Sequence, residues 1–251
     1  MSTKIGIIGG SGLDNPNLLS NTKDIDGITP FGSTSSCLRT GEIGGVPVVL
    51  MARHGHEHSI PPAQVNYRAN IHALKEIGCT HLLVSTAVGS LRAEIQRGDL
   101  IVLDQFIDFT RQRKMTFHES YKPNEPVHPA MPDPFDAKLR TLMIQELKNL
   151  GYRYHPTGTV ITIEGPRFST RAESRMYRIW GADVVNMSVS TECMLASEAG
   201  LPYAAIAMST DYDAWKDDEE PVTWEAVSKV AEENANKVLA LFRKLIPIIG
   251  S

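Results

Sequence analysis

Two carboxyls stand two residues apart in Ser209-Thr210-Asp211-Tyr212-Asp213-Ala214-Trp215, directly behind the apolar run Tyr203–Met208. At the end of a strand such a pair can point into one crevice. There it binds a metal, or it shares a proton and serves as general acid and hydrogen-bond acceptor. A second group, Arg53-His54-Gly55-His56-Glu57-His58, also follows an apolar run. Arginine presents a planar fork of donors suited to phosphate. Three histidines could suggest zinc, but Pro61-Pro62 follows at once and no carboxylate cluster supports a metal. The segment reads as an anion or sugar site.

Three further segments carry donors or a stacking face. In Gly9-Gly10-Ser11-Gly12 the glycines let backbone N–H groups approach an anion, and Ser11 adds a hydroxyl. The loop lacks both the lysine of a Walker motif and the third glycine of the dinucleotide fingerprint. Ser85-Thr86-Ala87-Val88-Gly89-Ser90 brings small hydroxyl residues to the carboxyl end of an apolar strand, where open α/β sheets bind ligands. Glu164–Ser174 combines a Gly-Pro turn, the ring of Phe168, and Ser/Thr residues able to cap the helix behind them. Each segment alone also fits a plain turn, a strand-to-loop junction or a core aromatic.

The elements that must hold these residues alternate in type. Strands are predicted at Lys4–Gly9, Val46–Ala52, His81–Ala87, Leu100–Phe106, Thr159–Ile163, Asp183–Met187 and Tyr203–Met208. Helices are predicted at Gln64–Ile77, Asp136–Leu150, Arg171–Trp180, Glu192–Ala199 and Trp224–Leu245, the last ended by Pro247. Arg111–Pro134, rich in Pro, His and polar residues, reads as a long functional loop. The order implies an α/β layer fold with a mixed central sheet flanked by helices, as one domain over residues 1–251.

Composition removes several function classes. The 251 residues are 42% hydrophobic and 22% charged, so the chain can bury enough surface to fold. A net charge of −4 lacks the basic face of a nucleic-acid binder. No apolar run reaches membrane-span length. Cys37, Cys79 and Cys193 are far apart, odd in number and without a CxxC, which points to a reducing, cytoplasmic compartment.

The same segments join into longer matches: GIIGGSGL (6–13), ARHGHEH (52–58), VNYRANIHALKEIG (65–78), TIEGPRFSTRAES (162–174), WGADVVNMS (180–188) and STDYDAW (209–215). With GSL and GD in 89–99 and DQFID before Thr110, they run nearly end to end. In these stretches the chain resembles the 5′-methylthioadenosine phosphorylases, in the trimeric branch of the purine nucleoside phosphorylase superfamily. The resemblance implies a purine nucleoside phosphorylase-like fold and phosphorolysis of S-methyl-5′-thioadenosine to adenine and 5-methylthioribose 1-phosphate. A broader phosphorylase of adenosine or 6-oxopurine nucleosides is the alternative, and a nucleoside-binding protein without turnover belongs to a different class. It implies phosphate binding by Ser11, Arg53, His54, Thr86, Ala87 and Ser188, and substrate contacts from Phe168, Met187, His58, Trp224 and Val227. It assigns the adenine edge to Asp211 and Asp213, with Asp211 as proton donor to the purine. Inorganic phosphate is then a co-substrate, with no metal or organic cofactor. It also implies a homotrimer whose sites lie near subunit interfaces, with His128 contributed by a neighbour. Three positions depart from the family pattern: Trp224, where relatives have a smaller aliphatic residue; Thr191, where a proline precedes Glu192; and His56, commonly arginine.

Overall fold

The apolar run near the N-terminus is the strand β1 (Ile5–Gly9), buried along its whole length. The computed structural model describes residues 2–10 and 18–251, so Ser11 lies outside the described residues. Behind β1 come β2 (Ser20–Ile25), β3 (Ile28–Thr29), β4 (Gly32–Ser33), β5 (Leu38–Ile43) and β6 (Val46–Ala52). Then follow α1 (Tyr67–Glu76), β7 (His81–Ser90), β8 (Leu100–Val102), β9 (Gln105–Phe109), α2 (Ala137–Leu150) and β10 (Tyr154–His155). The remaining elements are β11 (Thr159–Ile163), α3 (Arg171–Ile179), β12 (Val184–Asn186), α4 (Val189–Glu198), β13 (Tyr203–Asp211) and α5 (Trp224–Gly250).

One mixed sheet runs β10-β8-β13-β7-β1-β6-β5-β2, and β12, β11 and β9 continue it sideways from β7. The strands β6, β1, β7 and β13 are parallel, so their carboxyl ends open on one side. The strand β12 runs antiparallel to β7, with Val185 opposite Gly89, which turns its last residue back toward Thr86. Helices α1 and α4 close one face over Ile71, Leu74 and Leu195, and α2 and α5 close the other over Met143, Leu147 and Phe242. Burial of both faces explains why the central strands read as continuous apolar runs.

Helix ends follow the local chemistry. Asn66, Asp136, Thr170 and Thr223 cap α1, α2, α3 and α5 through their side chains, and Thr170 with Glu173 forms a capping box. Two sequence expectations are corrected, and two strands were not expected. Leu100–Phe106 is not one strand but β8 and the start of β9, because β8 pairs with β13 while β9 leaves to pair with β11. Pro247 does not end α5, which continues to Gly250 on the buried Leu245 and Ile246. The polar, exposed β2 and the β5 strand escape hydrophobic-pattern reading, since β2 is held by pairing to β5 rather than by burial. Residues 111–134 form no helix or strand, as the loop reading expects.

Candidate active site

A cavity of about 350 Å³ lies at the carboxyl ends of the parallel strands. It is lined by every described residue of the predicted site except His128: Arg53, His54, His58, Thr86, Ala87, Phe168, Met187, Ser188, Asp211, Asp213, Trp224 and Val227. His128 is exposed in the 111–134 segment, where its ring meets Tyr121.

At one end of the cavity Arg53 follows β6 and is buried to 1% exposure. Arg53 lines the cavity, and its fork is also engaged within the protein. Nε and Nη2 donate to the two carboxylate oxygens of the buried Glu192 at 2.5 and 3.0 Å, and Nη1 donates to the Ser85 carbonyl at 3.1 Å. Each Nη carries a second hydrogen that these contacts do not use. Burial opposes the guanidinium charge, and the Glu192 carboxylate beside it restores it. Glu192 in turn accepts from the Tyr203 hydroxyl at 2.9 Å.

His54 is a different kind of group. Nδ1 faces the Ile60 carbonyl at 3.0 Å, so that nitrogen carries the hydrogen and Nε2 is an acceptor. Burial, reinforced by the Arg53 charge, lowers its pKa to about 3, so the ring is neutral. Its ring stacks on His58 at 4.2 Å, and His58 packs against Trp224 at 4.7 Å, forming one wall of three rings. Ser188 is the N-cap of α4 but makes no capping hydrogen bond with its side chain. The cavity thus meets a helix N-terminus, where unpaired N–H groups and the helix dipole favour an anion. Thr191 at the departing position sits in the first turn of α4 and accepts from Arg113 at 3.4 Å. Helix α4 forms without the proline, and Met187 and Ser188 keep their places in the cavity wall.

The other end holds the two carboxyls. The expectation that strand alternation aims both into one crevice is replaced by two local devices. A bulge between Ser209 and Asp211 shifts the register against β7 so that Asp211 faces Gly89. Asp213, beyond the strand at φ 48°, donates its N–H to Asp211 Oδ1 at 2.7 Å. The Thr210 hydroxyl donates to Asp211 Oδ2 at 2.8 Å. A Cβ at Gly89 would stand 2.8 Å from Asp211 Oδ1 and displace that carboxyl, so the bare backbone of glycine leaves room for it. Burial raises the pKa of both carboxyls, and for Asp213 the Asp211 charge adds to it. Asp213 Oδ2 is buried with no hydrogen-bond partner. The Ser169 and Ser174 hydroxyls face Asp213 without reaching hydrogen-bond geometry. With two unpartnered hydroxyls beside it, this acceptor is within a small shift of a protein donor and is equally open to a donor on a ligand.

Between the two ends lie Met187, Phe168 and Pro166. Gly165 takes φ 69°, and a side chain there would meet Met187 Sδ at 2.5 Å, so this turn also needs glycine. The sequence reading missed Asn186, a cavity-lining amide at the end of an otherwise apolar strand. A polar residue inside a buried apolar run was the available signal. It also gave no role to Arg113, which is buried in the long loop and holds the Glu164 turn through Glu164 Oε1 and the carbonyls of Ile163 and Glu164. Among the described residues, no three His, Cys, Asp or Glu side chains are grouped to hold a metal, and no helix is long and apolar enough to cross a membrane.

One cavity brings together Arg53, His54, Thr86 and Ser188 with the carboxyls of Asp211 and Asp213, and the chain belongs to the phosphorylase superfamily, whose model matches residues 4–247. Within that superfamily it is similar to S-methyl-5′-thioadenosine phosphorylases. One from Danio rerio is 52% identical over 248 residues, covering 98% of this chain and 89% of the relative. One from Xenopus tropicalis is 52% identical over 253 residues, covering 100% and 90%. The solved structure of a methylthioadenosine phosphorylase from Schistosoma mansoni with adenine superimposes at a TM-score of 0.94, with 41% identity over 99% of this chain and 92% of that one. A variant of the adenosine/methylthioadenosine phosphorylase from the same organism, in complex with methylthioadenosine, matches at a TM-score of 0.93 and 40% identity over 99% and 92%.

Proposed function

We propose that this chain is an enzyme that cleaves S-methyl-5′-thioadenosine with inorganic phosphate, releasing adenine and 5-methylthioribose 1-phosphate. The observation that carries the reading is the cavity itself, with anion donors at one end and a buried carboxyl pair at the other, in a chain about half identical to methylthioadenosine phosphorylases over nearly its full length.

The chemistry follows from the two ends. Breaking the bond between purine and sugar leaves positive charge on the sugar and sends the bond's electron pair to the purine. Phosphate held by Arg53, Thr86, Ser188 and the α4 N-terminus stabilises the cation and attacks the anomeric carbon. His54 and Ala87 line the same end. The neutral His54 accepts rather than donates, which suits a phosphate oxygen that carries a proton. Asp211, whose burial favours the protonated carboxyl, gives its proton to N7 of the departing base. Asp213 uses the unpaired Oδ2 to accept from the exocyclic amine, which favours adenine over a 6-oxopurine. Met187 lies beneath the ribose and Phe168 against base and sugar, while Trp224, Val227 and His58 enclose the 5′ substituent.

The working unit in this reading is a homotrimer of one phosphorylase domain per chain, in the reducing cytoplasm, with phosphate as co-substrate and no organic cofactor. His128 of a neighbouring chain reaches the sugar end. Exposed apolar groups such as Ile179 and Trp180 support a further surface of association. Adenosine is the second substrate to test, because a similar solved protein is named for both nucleosides. The test follows base release from methylthioadenosine, adenosine and inosine, with and without phosphate. Phosphate-dependent adenine release from methylthioadenosine is expected; its absence refutes the reading, and faster turnover of inosine refutes the role of Asp213.

A further inference from the structure

Behind the anion end runs a chain of buried hydrogen bonds that no catalytic step uses directly. Thr162, on β11 between β12 and β9 and fully buried, accepts the Ser190 N–H at 3.1 Å. Its own hydroxyl hydrogen goes to Asn186 Oδ1 at 2.8 Å. The reversed amide would take this acceptor from the Thr162 hydrogen, so the bond favours the orientation with Nδ2 on the opposite side. Nδ2 donates to Thr86 Oγ1 at 3.2 Å. Thr86 therefore spends a lone pair on Asn186, and its hydrogen must point elsewhere. It meets the Ala87 carbonyl at 3.2 Å, a neutral acceptor that an arriving anion outcompetes.

We propose that Thr162 is a positioning residue that, through Asn186, aims the Thr86 hydroxyl hydrogen at the bound phosphate. The proposal rests on the phosphorolysis reading for the identity of the anion. Thr162 does not line the cavity, so it reaches phosphate only through its partners: Asn186 in this relay, and the Ser190 N–H in the first turn of α4.

The experiment measures steady-state kinetics and calorimetric phosphate binding for the wild-type chain, Thr162→Val and Thr162→Ser. Valine keeps the shape and removes the hydroxyl; serine keeps the hydroxyl. In Thr162→Val the KM and Kd for phosphate rise about tenfold, the scale of one hydrogen bond to a charged group, while the KM for the nucleoside stays put. Thr162→Ser restores phosphate affinity. A purely structural Thr162 would lower the unfolding midpoint of Thr162→Val and leave phosphate affinity unchanged, and that result overturns the proposal. Because Thr162→Val also frees the Ser190 N–H, Asn186→Ala, which leaves that bond in place, is measured in the same assays whether or not Thr162→Val folds: unchanged phosphate affinity overturns the relay. A wild-type chain that binds phosphate without turnover sinks the phosphorolysis reading but not the relay, whereas one that binds no phosphate sinks both.

Discussion

Replacing Glu192 by alanine strands a positive charge in the protein interior, and the size of the effect can be worked from its contacts. Arg53 and Glu192 are each exposed to only 1% and are joined by two hydrogen bonds, with Tyr203 adding a third to the carboxylate. Breaking a buried pair by deleting one partner costs about 3–5 kcal/mol, because the remaining charge has neither water nor counter-charge. The Tyr203 hydroxyl, left without an acceptor, raises the cost by about 1 kcal/mol or more, although contributions within one network do not simply add. Taking about 4 kcal/mol for the whole, a chain of this size loses roughly 8–16 °C in unfolding midpoint. Glu192→Gln keeps the shape and one acceptor and falls between wild type and Glu192→Ala. Thermal unfolding at fixed protein concentration measures all three, and a cycle with Arg53→Met isolates the pair. Removing both partners relieves the stranded charge, so the double variant is more stable than the sum of the singles by at least about 2 kcal/mol. A Glu192→Ala midpoint within about 2 °C of wild type, or simple additivity in the cycle, refutes the reasoning.

Asp211→Ala lowers kcat by about 10²–10⁴, the range of a lost general acid, with only a small change in unfolding midpoint; near-wild-type turnover contradicts the proton-donor role. His54 takes up a proton only near pH 3 when folded but near 6.5 when unfolded, so unfolding binds a proton between those values. Stability from this group is complete above pH 6.5 and declines as pH falls toward 3, by at most about 1.4 kcal/mol per pH unit. Urea midpoints across that window decline less steeply for His54→Gln, and parallel profiles contradict the assignment. Burial pushes the Cys79 thiol up to about 12 and raises that of Cys193 further, whereas Cys37 is partly exposed. A disulfide reagent therefore titrates one thiol in the native chain and three after unfolding; two or three native thiols refute the burial argument.

Element types and the site's residue types were legible in the sequence because they depend on near neighbours. The strand Val46–Ala52 lies where its run of apolar residues lies. Helix α2 starts at Asp136 and stops at Gly151 because a cap and a left-handed glycine are local devices. Runs such as EGPRFSTRAES and STDYDAW carried the family because donors, turn residues and carboxyls must occur in that order to build the cavity. The separate pairing of β8 and β9 was not legible, since a strand's partner lies far along the chain.

The division of labour among site residues was likewise decided by the tertiary structure. Sequence marked Arg53 as an anion donor, but only the fold brings Glu192 against it from 139 residues away. Sequence supplied two aspartates, while the bulge in β13 and the bare backbone of Gly89 aim them and leave one oxygen unpaired. The hydrogen of Thr86 takes its direction from Asn186, 100 residues distant, and Asn186 from Thr162 on another strand. Residue types set which protons, charges and donors exist; burial and long-range pairing set which of them are spent within the protein and which remain for the ligand.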